Sequence, residues 1–302
     1  MTHTAPEKML AACFSRNVTT AGRQTIVQGD CLKQIKRLPD ACADIIITSP
    51  PYNIGLSYNS YDDTMPRLQY LKWLARLSEQ LDRILKEDGS FFLNVGGTGA
   101  DPWLTHEIAS AFRHEFILQN NIIWVKSISI DEESFGHFKP INSPRFLNNN
   151  YEHIFHFTKT GTNTIDRLAV GVPFKDKSNI SRWGHTRDKR CAGNVWHIPY
   201  KTVLSKTQKF NHPASFPEEL PIRCMKLHGG DNLTVIDPFL GSGTTLAAAE
   251  QLGHYGTGFE IDADYIETCV ARINTIAESR RAGMPVRKLS RRQQIIQKNS
   301  RG

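Results

Sequence analysis

The chain has 302 residues, of which 39% are hydrophobic and 22% charged, a composition that fits one large α/β domain or two small ones. No apolar run approaches the roughly 20 residues that span a bilayer, and residues 1–23 lack the apolar core of a signal peptide, so the sequence predicts a cytoplasmic protein without a membrane segment. The six cysteines are scattered without a Cys-x-x-Cys pair, so neither a disulfide framework nor a metal site is predicted.

Hydrophobic periodicity in the first half of the chain predicts alternating strands and helices after an N-terminal extension at residues 1–23. The β-branched run at 44–48 is typical of a strand that is buried on both faces of a parallel sheet. The predicted strands lie at 24–28, 44–48, 90–95, 117–126 and 151–158, and the predicted helices at 31–38, 67–86 and 103–114. Residues 131–150 are polar and turn-rich, which predicts a loop.

The second half begins with residues 159–210, which have weak periodicity and interleave basic residues with Trp183, Trp196 and Tyr200. Helices are predicted at 217–228, 244–252 and 263–278, and strands at 233–236 and 255–259. Because strands and helices alternate at these spacings, the sequence predicts an α/β fold with a doubly wound parallel sheet.

The positive charge is concentrated in two segments. Residues 159–210 contain 11 Lys and Arg against 3 Asp and Glu, and residues 279–302 contain 8 Lys and Arg and no acid, so the remainder is net acidic although the whole chain carries +7. Basic segments on an otherwise acidic enzyme are expected where a polyanion is held. We interpret 159–210 as a recognition segment, with Arg182, Arg187, Lys189 and Arg190 as candidates for phosphate or guanine contacts. The alternatives are an ordinary surface excursion and, for 279–302, a solvated tail.

A glycine-rich turn follows the predicted strand at 233–236. Its sequence is Asp237-Pro238-Phe239-Leu240-Gly241-Ser242-Gly243-Thr244-Thr245, and it stands where a doubly wound sheet binds ligands. It is neither a phosphate loop nor a full dinucleotide fingerprint. Glu260 ends the next strand, 23 residues after Asp237, a spacing that suits an acid binding ribose hydroxyls. The pair predicts a nucleoside cofactor without a pyrophosphate; the alternative is a structural turn with a helix-capping acid.

A second turn, Ser49-Pro50-Pro51-Tyr52, follows the predicted strand at 44–48. The two prolines fix φ and remove backbone donors, which leaves carbonyls free to accept hydrogen bonds. A hydroxyl, a carbonyl and an aromatic ring presented together fit a planar base that bears an amino group. Ser49 and the Pro50 carbonyl would accept from the amine while Tyr52 stacks on the ring, which is catalysis by positioning and electrostatics. The alternative is a turn that merely ends a strand.

The pairing of Ser-Pro-Pro-Tyr near the N-terminus with Asp-Pro-Phe-x-Gly-Ser-Gly-Thr-Thr near the C-terminus resembles the beta group of DNA amino-methyltransferases, over about residues 26–273. The resemblance implies a circularly permuted, Rossmann-like methyltransferase sheet with an inserted target-recognition region. The implied divisions are an extension (1–23), a catalytic half (24–158), the recognition region (159–211), a cofactor half (212–278) and a basic tail (279–302).

The same resemblance implies a role for each matching residue. The cofactor is implied to be S-adenosylmethionine, with Glu260 on its ribose and Asp30 at its adenine amino group. His212 belongs to a segment, His-Pro-Ala-x-Phe-Pro, that resembles the family's cofactor-side motif. The turn residues implied to cradle the cofactor are Asp237, Phe239, Gly241, Ser242, Gly243 and Thr244, and the implied catalytic residues are Ser49, Pro50, Pro51 and Tyr52.

The implied substrate is double-stranded DNA with a flipped target base. Within the family, Ser-Pro-Pro-Tyr and His-Pro-Ala-x-Phe-Pro favour cytosine N4, whereas Asn53-Ile54-Gly55 after the turn also occurs in adenine-N6 members. A cognate restriction endonuclease that cuts the same site is a further candidate partner. The recognition sequence and the oligomeric state stay open.

Two other classes compete with a DNA methyltransferase. An RNA or protein methyltransferase could share both turns, but those enzymes usually place the cofactor turn before the catalytic tetrapeptide, whereas here it comes about 190 residues after it. A non-catalytic DNA-binding module would not need the cofactor acid Glu260.

Overall fold

A computed structural model describes residues 10–130, 133–136, 142–182, 184, 186–199 and 216–282. The strands are β1 Val18–Ala21, β2 Gln24–Gln28, β3 Ala43–Thr48, β4 Leu85–Val95, β5 Ile117–Val125, β6 Ser127–Ile130, β7 Glu133–Gly136, β8 Tyr151–Thr158, β9 Val195–His197, β10 Thr234–Asp237 and β11 Tyr255–Glu260. The helices are α1 Cys31–Gln34, α2 Arg67–Ile84, α3 Leu104–Ser110, α4 Ser178–Arg182, α5 Glu219–His228, α6 Thr244–Leu252 and α7 Ala263–Arg281.

Nine strands form one sheet in the order β1-β2-β11-β10-β3-β4-β8-β5-β9. The five strands from β2 to β4 are mutually parallel, whereas β8 runs antiparallel to both of its neighbours and β1 runs antiparallel to β2. The last two strands along the chain, β10 and β11, therefore lie in the middle of the sheet between β2 and β3. A parallel sheet of this kind needs helices on both faces, which confirms the predicted α/β class.

The β3 side chains show how the sheet is covered. Ile46 packs into one apolar cluster with residues of α2 and the α3 region, while Ile45 and Ile47 pack into a second cluster with residues of α5 and α6. All three isoleucines are buried, as the continuous β-branched run predicts. Among the described helices, none is long and apolar enough to cross a membrane.

Two strands were not predicted from the sequence. β1 lies within the predicted N-terminal extension and pairs with β2 through a two-residue turn, Gly22-Arg23, in which Gly22 has φ +55°. The same part of the chain contributes Leu10 and Phe14 to the core. β9 lies within the predicted recognition segment, where Trp196 is buried beside β5. Residues 159–199 are therefore partly tied to the main sheet.

Other boundaries also differ. The loop predicted at 131–150 includes part of a β6–β7 hairpin. α2 ends at Ile84 rather than 86, because Leu85 extends and pairs with Ala43 at the start of β4. α7 continues to Arg281, three residues beyond the predicted end. His212 and most of the basic tail lie outside the described residues.

Candidate active site

The two predicted turns lie side by side at the carboxyl edge of the sheet. β3 and β10 are paired and parallel, so the segments that follow them leave the sheet together. The Thr48 hydroxyl, at the end of β3, donates to Asp237 Oδ1 at 2.7 Å across 189 residues of sequence. Both turns line one cleft of about 980 Å³, part of which is open to solvent. The structure thus brings the predicted catalytic and cofactor residues into one site.

The first turn is held from behind by its own hydroxyl groups. Ser49 Oγ donates to the Tyr52 hydroxyl oxygen at 2.9 Å, and the Tyr70 hydroxyl donates to the Pro51 carbonyl at 2.6 Å. The Pro50 carbonyl accepts no hydrogen bond from any described residue, and Pro50 lines the cleft. One carbonyl of the Pro-Pro pair is therefore fixed by the core, and the other remains an acceptor for a ligand.

The Tyr52 side chain points toward the ends of β4 and β8. Its hydroxyl donates to Glu152 Oε2 at 3.2 Å and lies 3.4 Å from the Asn94 carbonyl. Burial, followed by the negative charge of Glu152, raises the pKa of Tyr52 well above its ordinary value. The hydroxyl therefore keeps its proton and stays a donor. The predicted stacking of the ring on a base stays a prediction.

The chain after Tyr52 folds over the cleft because one buried carboxylate organises it. Asp63 is 2% exposed and accepts hydrogen bonds from the backbone N–H groups of Asn53, Ile54 and Leu56. Further along the same loop, Ser60 Oγ donates to Asp262 Oδ2 at 2.9 Å, next to the end of β11. This loop spans the cleft from the first turn to the second, and its aromatic residues Tyr58 and Tyr61 line the cleft.

The second turn depends on glycine. Gly241 has φ +51° and Gly243 φ +79°, a backbone region that side chains disfavour. A Cβ at Gly243 would also lie 2.9 Å from the Cβ of Cys269 on α7, so this position needs glycine for packing as well. Arg272 fastens the turn from outside by donating to the Ser242 carbonyl and the Thr244 hydroxyl. Phe239 packs against Trp73 at the cleft wall, with ring centroids 5.4 Å apart.

Glu260 joins the glycine turn to the end of β11. Its Oε2 accepts from the Gly241 N–H at 2.7 Å, and its Oε1 accepts from the N–H groups of Ile261 and Asp262 at 2.8 and 2.9 Å. Burial raises the pKa of Glu260, and these three backbone hydrogen bonds oppose that rise. The carboxylate retains lone pairs that can accept from a ligand in the cleft.

Two further acids border the cleft at different depths. Asp237 is 2% exposed, and its burial raises its pKa from 3.8 to about 6, although Thr48 and the Phe239 N–H donate to it. Asp30 is exposed, and its Oδ1 accepts from the Lys33 N–H at 3.0 Å, which caps α1. Both residues line the cleft. Asp237 therefore organises the turn from inside, whereas Asp30 remains accessible to a ligand.

The predicted DNA-binding residues lie away from the cleft lining, on the segment between β8 and β9. Arg182, Arg187, Lys189 and Arg190 are all exposed. The Arg190 backbone pairs with Val172, which fixes the base of this segment, and Lys189 Nζ donates to the Leu168 carbonyl. Lys177 forms an ion pair with Asp188. The four predicted residues thus share one basic surface.

The sequence reasoning missed Asp63, Glu152 and Asp262, which contact the two turns. For Asp262 a signal existed, because it caps α7 two residues after Glu260 and accepts from the Asp264 and Tyr265 N–H groups. Glu152 reaches Tyr52 across 100 residues of sequence, and only the β4–β8 pairing brings it there. Sequence spacing contains no such signal.

Comparison with known proteins gives matches to one family. The sequence model of the N6/N4 DNA methylase family matches residues 43–271. The type II methyltransferase M.BglII of Bacillus subtilis is 29% identical over 255 residues, which cover 80% of this chain and 66% of that protein. The DNA adenine methyltransferase YhdJ of Escherichia coli (strain K12) is 27% identical over 259 residues, which cover 83% of each chain.

Solved structures share the fold. The PvuII DNA methyltransferase, described as cytosine-N4-specific, has a TM-score of 0.64 at 20% identity, covering 86% of this chain and 93% of that chain. A DNA modification methylase of Thermus thermophilus, complexed with S-adenosyl-L-methionine, has a TM-score of 0.56 at 22% identity, covering 83% of this chain and 93% of that chain.

Proposed function

Because the chain belongs to the N6/N4 DNA methylase family, we propose that it transfers a methyl group from S-adenosylmethionine to the exocyclic amine of a flipped base in double-stranded DNA, with cytosine N4 as the target. One observation carries the proposal: the Ser49–Tyr52 turn and the glycine turn open onto the same cleft, linked by Thr48 and Asp237. A methyl donor and an amine can meet only where the two turns share a space.

The residues at the glycine turn fit the proposed cofactor. Glu260 has free lone pairs for ribose hydroxyls, Asp30 is an accessible acceptor for an adenine amino group, and the wall beside Phe239 and Trp73 is aromatic. A charge-neutral ribose end matches the lack of a phosphate-binding lysine. When bound, S-adenosylmethionine supplies an electrophilic methyl group on a sulfonium.

The residues of the first turn would position the target amine. Ser49 Oγ and the free Pro50 carbonyl accept hydrogen bonds from the amino group and draw its lone pair out of conjugation with the ring. Tyr52 would hold the flipped base, which leaves the duplex at a cost of a few kcal/mol. The proton released from the amine passes to water or to a carbonyl-bound water.

Cytosine N4 is supported by the Ser-Pro-Pro-Tyr tetrapeptide and by the fold shared with the cytosine-N4-specific PvuII enzyme. Adenine N6 is the second candidate. It is favoured by the relative YhdJ, whose name specifies adenine, and by Asn53-Ile54-Gly55 after the turn.

The remaining divisions follow from the same proposal. Residues 159–211, with Arg182, Arg187, Lys189 and Arg190, would contact the duplex between a catalytic half (24–158) and a cofactor half (212–278), an order that corresponds to a circularly permuted methyltransferase. The sheet order supports this, because β10 and β11 lie inside strands that precede them in the chain. The type II relative M.BglII supports a cognate restriction endonuclease as a partner.

The test is methylation of DNA by the purified protein. DNA from a host without its own methyltransferases is incubated with the protein and S-adenosylmethionine, digested to nucleosides and analysed by mass spectrometry. We expect N4-methylcytosine, and N6-methyladenine would transfer the proposal to the second candidate. Ser49→Ala and Tyr52→Ala should lose transfer and still bind the cofactor. No methylated nucleoside from the wild-type protein would overturn the proposal.

A further inference from the structure

Three side chains form a hydrogen-bonded chain behind the catalytic turn. Ser49 Oγ donates to the Tyr52 hydroxyl oxygen at 2.9 Å, and the Tyr52 hydroxyl donates to Glu152 Oε2 at 3.2 Å. The other carboxylate oxygen of Glu152 accepts from Lys126 Nζ at 2.9 Å. The Glu152 and Lys126 side chains are 15% and 24% exposed, so this ion pair is largely shielded from solvent.

The direction of this chain is set at its Glu152 end. An ionised carboxylate can only accept, so Tyr52 must donate its single proton to Glu152. The Tyr52 oxygen is then free to accept, and Ser49 donates to it. Because the one proton of Ser49 is used there, the Ser49 lone pairs are the atoms available to a ligand in the cleft.

We propose that Glu152 is a positioning residue that fixes the direction of this chain and thereby makes Ser49 an obligatory hydrogen-bond acceptor for the target amine; this inference rests on the proposed function. A base amine presents only N–H donors on that side, so an acceptor binds it and a donor repels it. The ion pair with Lys126 holds the Glu152 carboxylate in its charged form at the Tyr52 hydroxyl.

The surrounding backbone makes room for this carboxylate. Gly96 follows the last residue of β4, and a Cβ built there would lie 2.9 Å from Glu152 Cδ. Asn94, two residues earlier, offers Tyr52 its carbonyl and its side-chain oxygen, but at 3.4 and 3.5 Å and without a charge. Glu152 is therefore the strongest acceptor that the Tyr52 hydroxyl meets.

Glu152→Gln reverses the argument while preserving the side-chain shape. The amide nitrogen can donate to the Tyr52 oxygen, Tyr52 can then donate to Ser49, and the Ser49 proton turns toward the amine. We expect the single-turnover rate of methyl transfer to fall by roughly 100-fold, the scale seen when one preorganised hydrogen bond at a reacting group is lost. The dissociation constant for S-adenosylmethionine should stay within about twofold, because Glu152 does not line the cofactor cleft.

A double-mutant cycle separates this role from a structural one. Tyr52→Phe breaks the chain, so adding Glu152→Gln to Tyr52→Phe should change the rate by less than about twofold. Gly96→Ala displaces the carboxylate without removing its charge and should also slow transfer. The matched control is Glu219→Gln on α5, where the exposed pair with Arg223 is far from the cleft and the rate should not change.

The measurement is transfer of tritiated methyl groups to unmethylated DNA at saturating cofactor, with the near-ultraviolet circular dichroism of each variant recorded alongside. If wild-type protein transfers nothing, the proposed function fails. If wild-type protein is active and both Glu152→Gln and Gly96→Ala match it, only the role of Glu152 fails. Additive effects of Glu152→Gln and Tyr52→Phe would also overturn that role, because the two residues would then act independently.

Discussion

Asp237→Asn should stabilise the cofactor-free protein at neutral pH. The Asp237 carboxyl is 2% exposed, and burial raises its pKa from 3.8 to about 6. A carboxyl with a raised pKa in the folded state favours folding when it is protonated, and its contribution is lost as the pH rises through about 6. Asparagine resembles the protonated acid and carries no charge at any pH, so the variant avoids this loss.

The expected magnitude follows from the same pKa. The rise from 3.8 to about 6 corresponds to roughly 3 kcal/mol, at about 1.4 kcal/mol for each tenfold change in the acid constant. The Thr48 hydroxyl and the Phe239 N–H both donate to Oδ1, which asparagine retains, so these two bonds persist. The variant should therefore match the wild type near pH 4 and exceed its free energy of unfolding by up to roughly 3 kcal/mol above pH 7.

Urea denaturation of both proteins at several pH values between 4 and 8 measures this difference. Asp262→Asn is the matched control of opposite sign. Although burial alone would raise the pKa of Asp262, hydrogen bonds from Ser60 and the Tyr265 N–H lower it, so this variant should lose stability at neutral pH and less at acid pH. A difference between Asp237→Asn and the wild type that is independent of pH, or a less stable variant at pH 7, would refute the reasoning.

Three further predictions concern cofactor binding, packing and DNA. Glu260→Ala should raise the dissociation constant for S-adenosylmethionine by roughly 10- to 100-fold, measured by calorimetry, because a charge-assisted hydrogen bond is lost; an unchanged constant would exclude the ribose contact. Gly243→Ala should lower the free energy of unfolding by roughly 2–5 kcal/mol, since it combines a left-handed backbone with overpacking against Cys269. Gly253→Ala is its control: Gly253 has φ +78° but nothing nearer than 3.8 Å, so only the backbone cost should appear, and equal losses would contradict the packing argument. Arg187→Ala should reduce the salt dependence of DNA binding by about one unit of slope, in filter-binding assays at several salt concentrations, and an unaltered slope would remove Arg187 from the phosphate contacts.

The sheet interior and the two turns could be predicted because their signals are local. The continuous β-branched run of β3 reports burial on both faces, and prolines or glycines mark the points where β3 and β10 end. That the turns meet also followed from physics, because parallel strands of one sheet end at the same edge. The structure shows this directly in the contact between Thr48 and Asp237.

The elements that were missed depend on distant partners. β9 is three residues long and becomes a strand only because Trp196 fits beside β5, where the Trp124 indole donates to the Ile198 carbonyl. β1 had a local signal in Gly22, between two β-rich runs, but its polar residues resemble a loop. Glu152 is one acid among many in the sequence. Its contact with Tyr52 exists only after β4 and β8 have paired.

The position of β10 and β11 has a consequence for synthesis of the protein. The ribosome makes these strands last, yet they occupy the gap between β2 and β3. Until they emerge, β2 and β3 each have one edge of unpaired backbone groups beside apolar side chains such as Ile45 and Ile47, and such edges promote aggregation. A nascent chain carries its base-binding turn before it has a glycine turn, so a prematurely terminated product would have no methyl-donor site and would need chaperone protection or degradation.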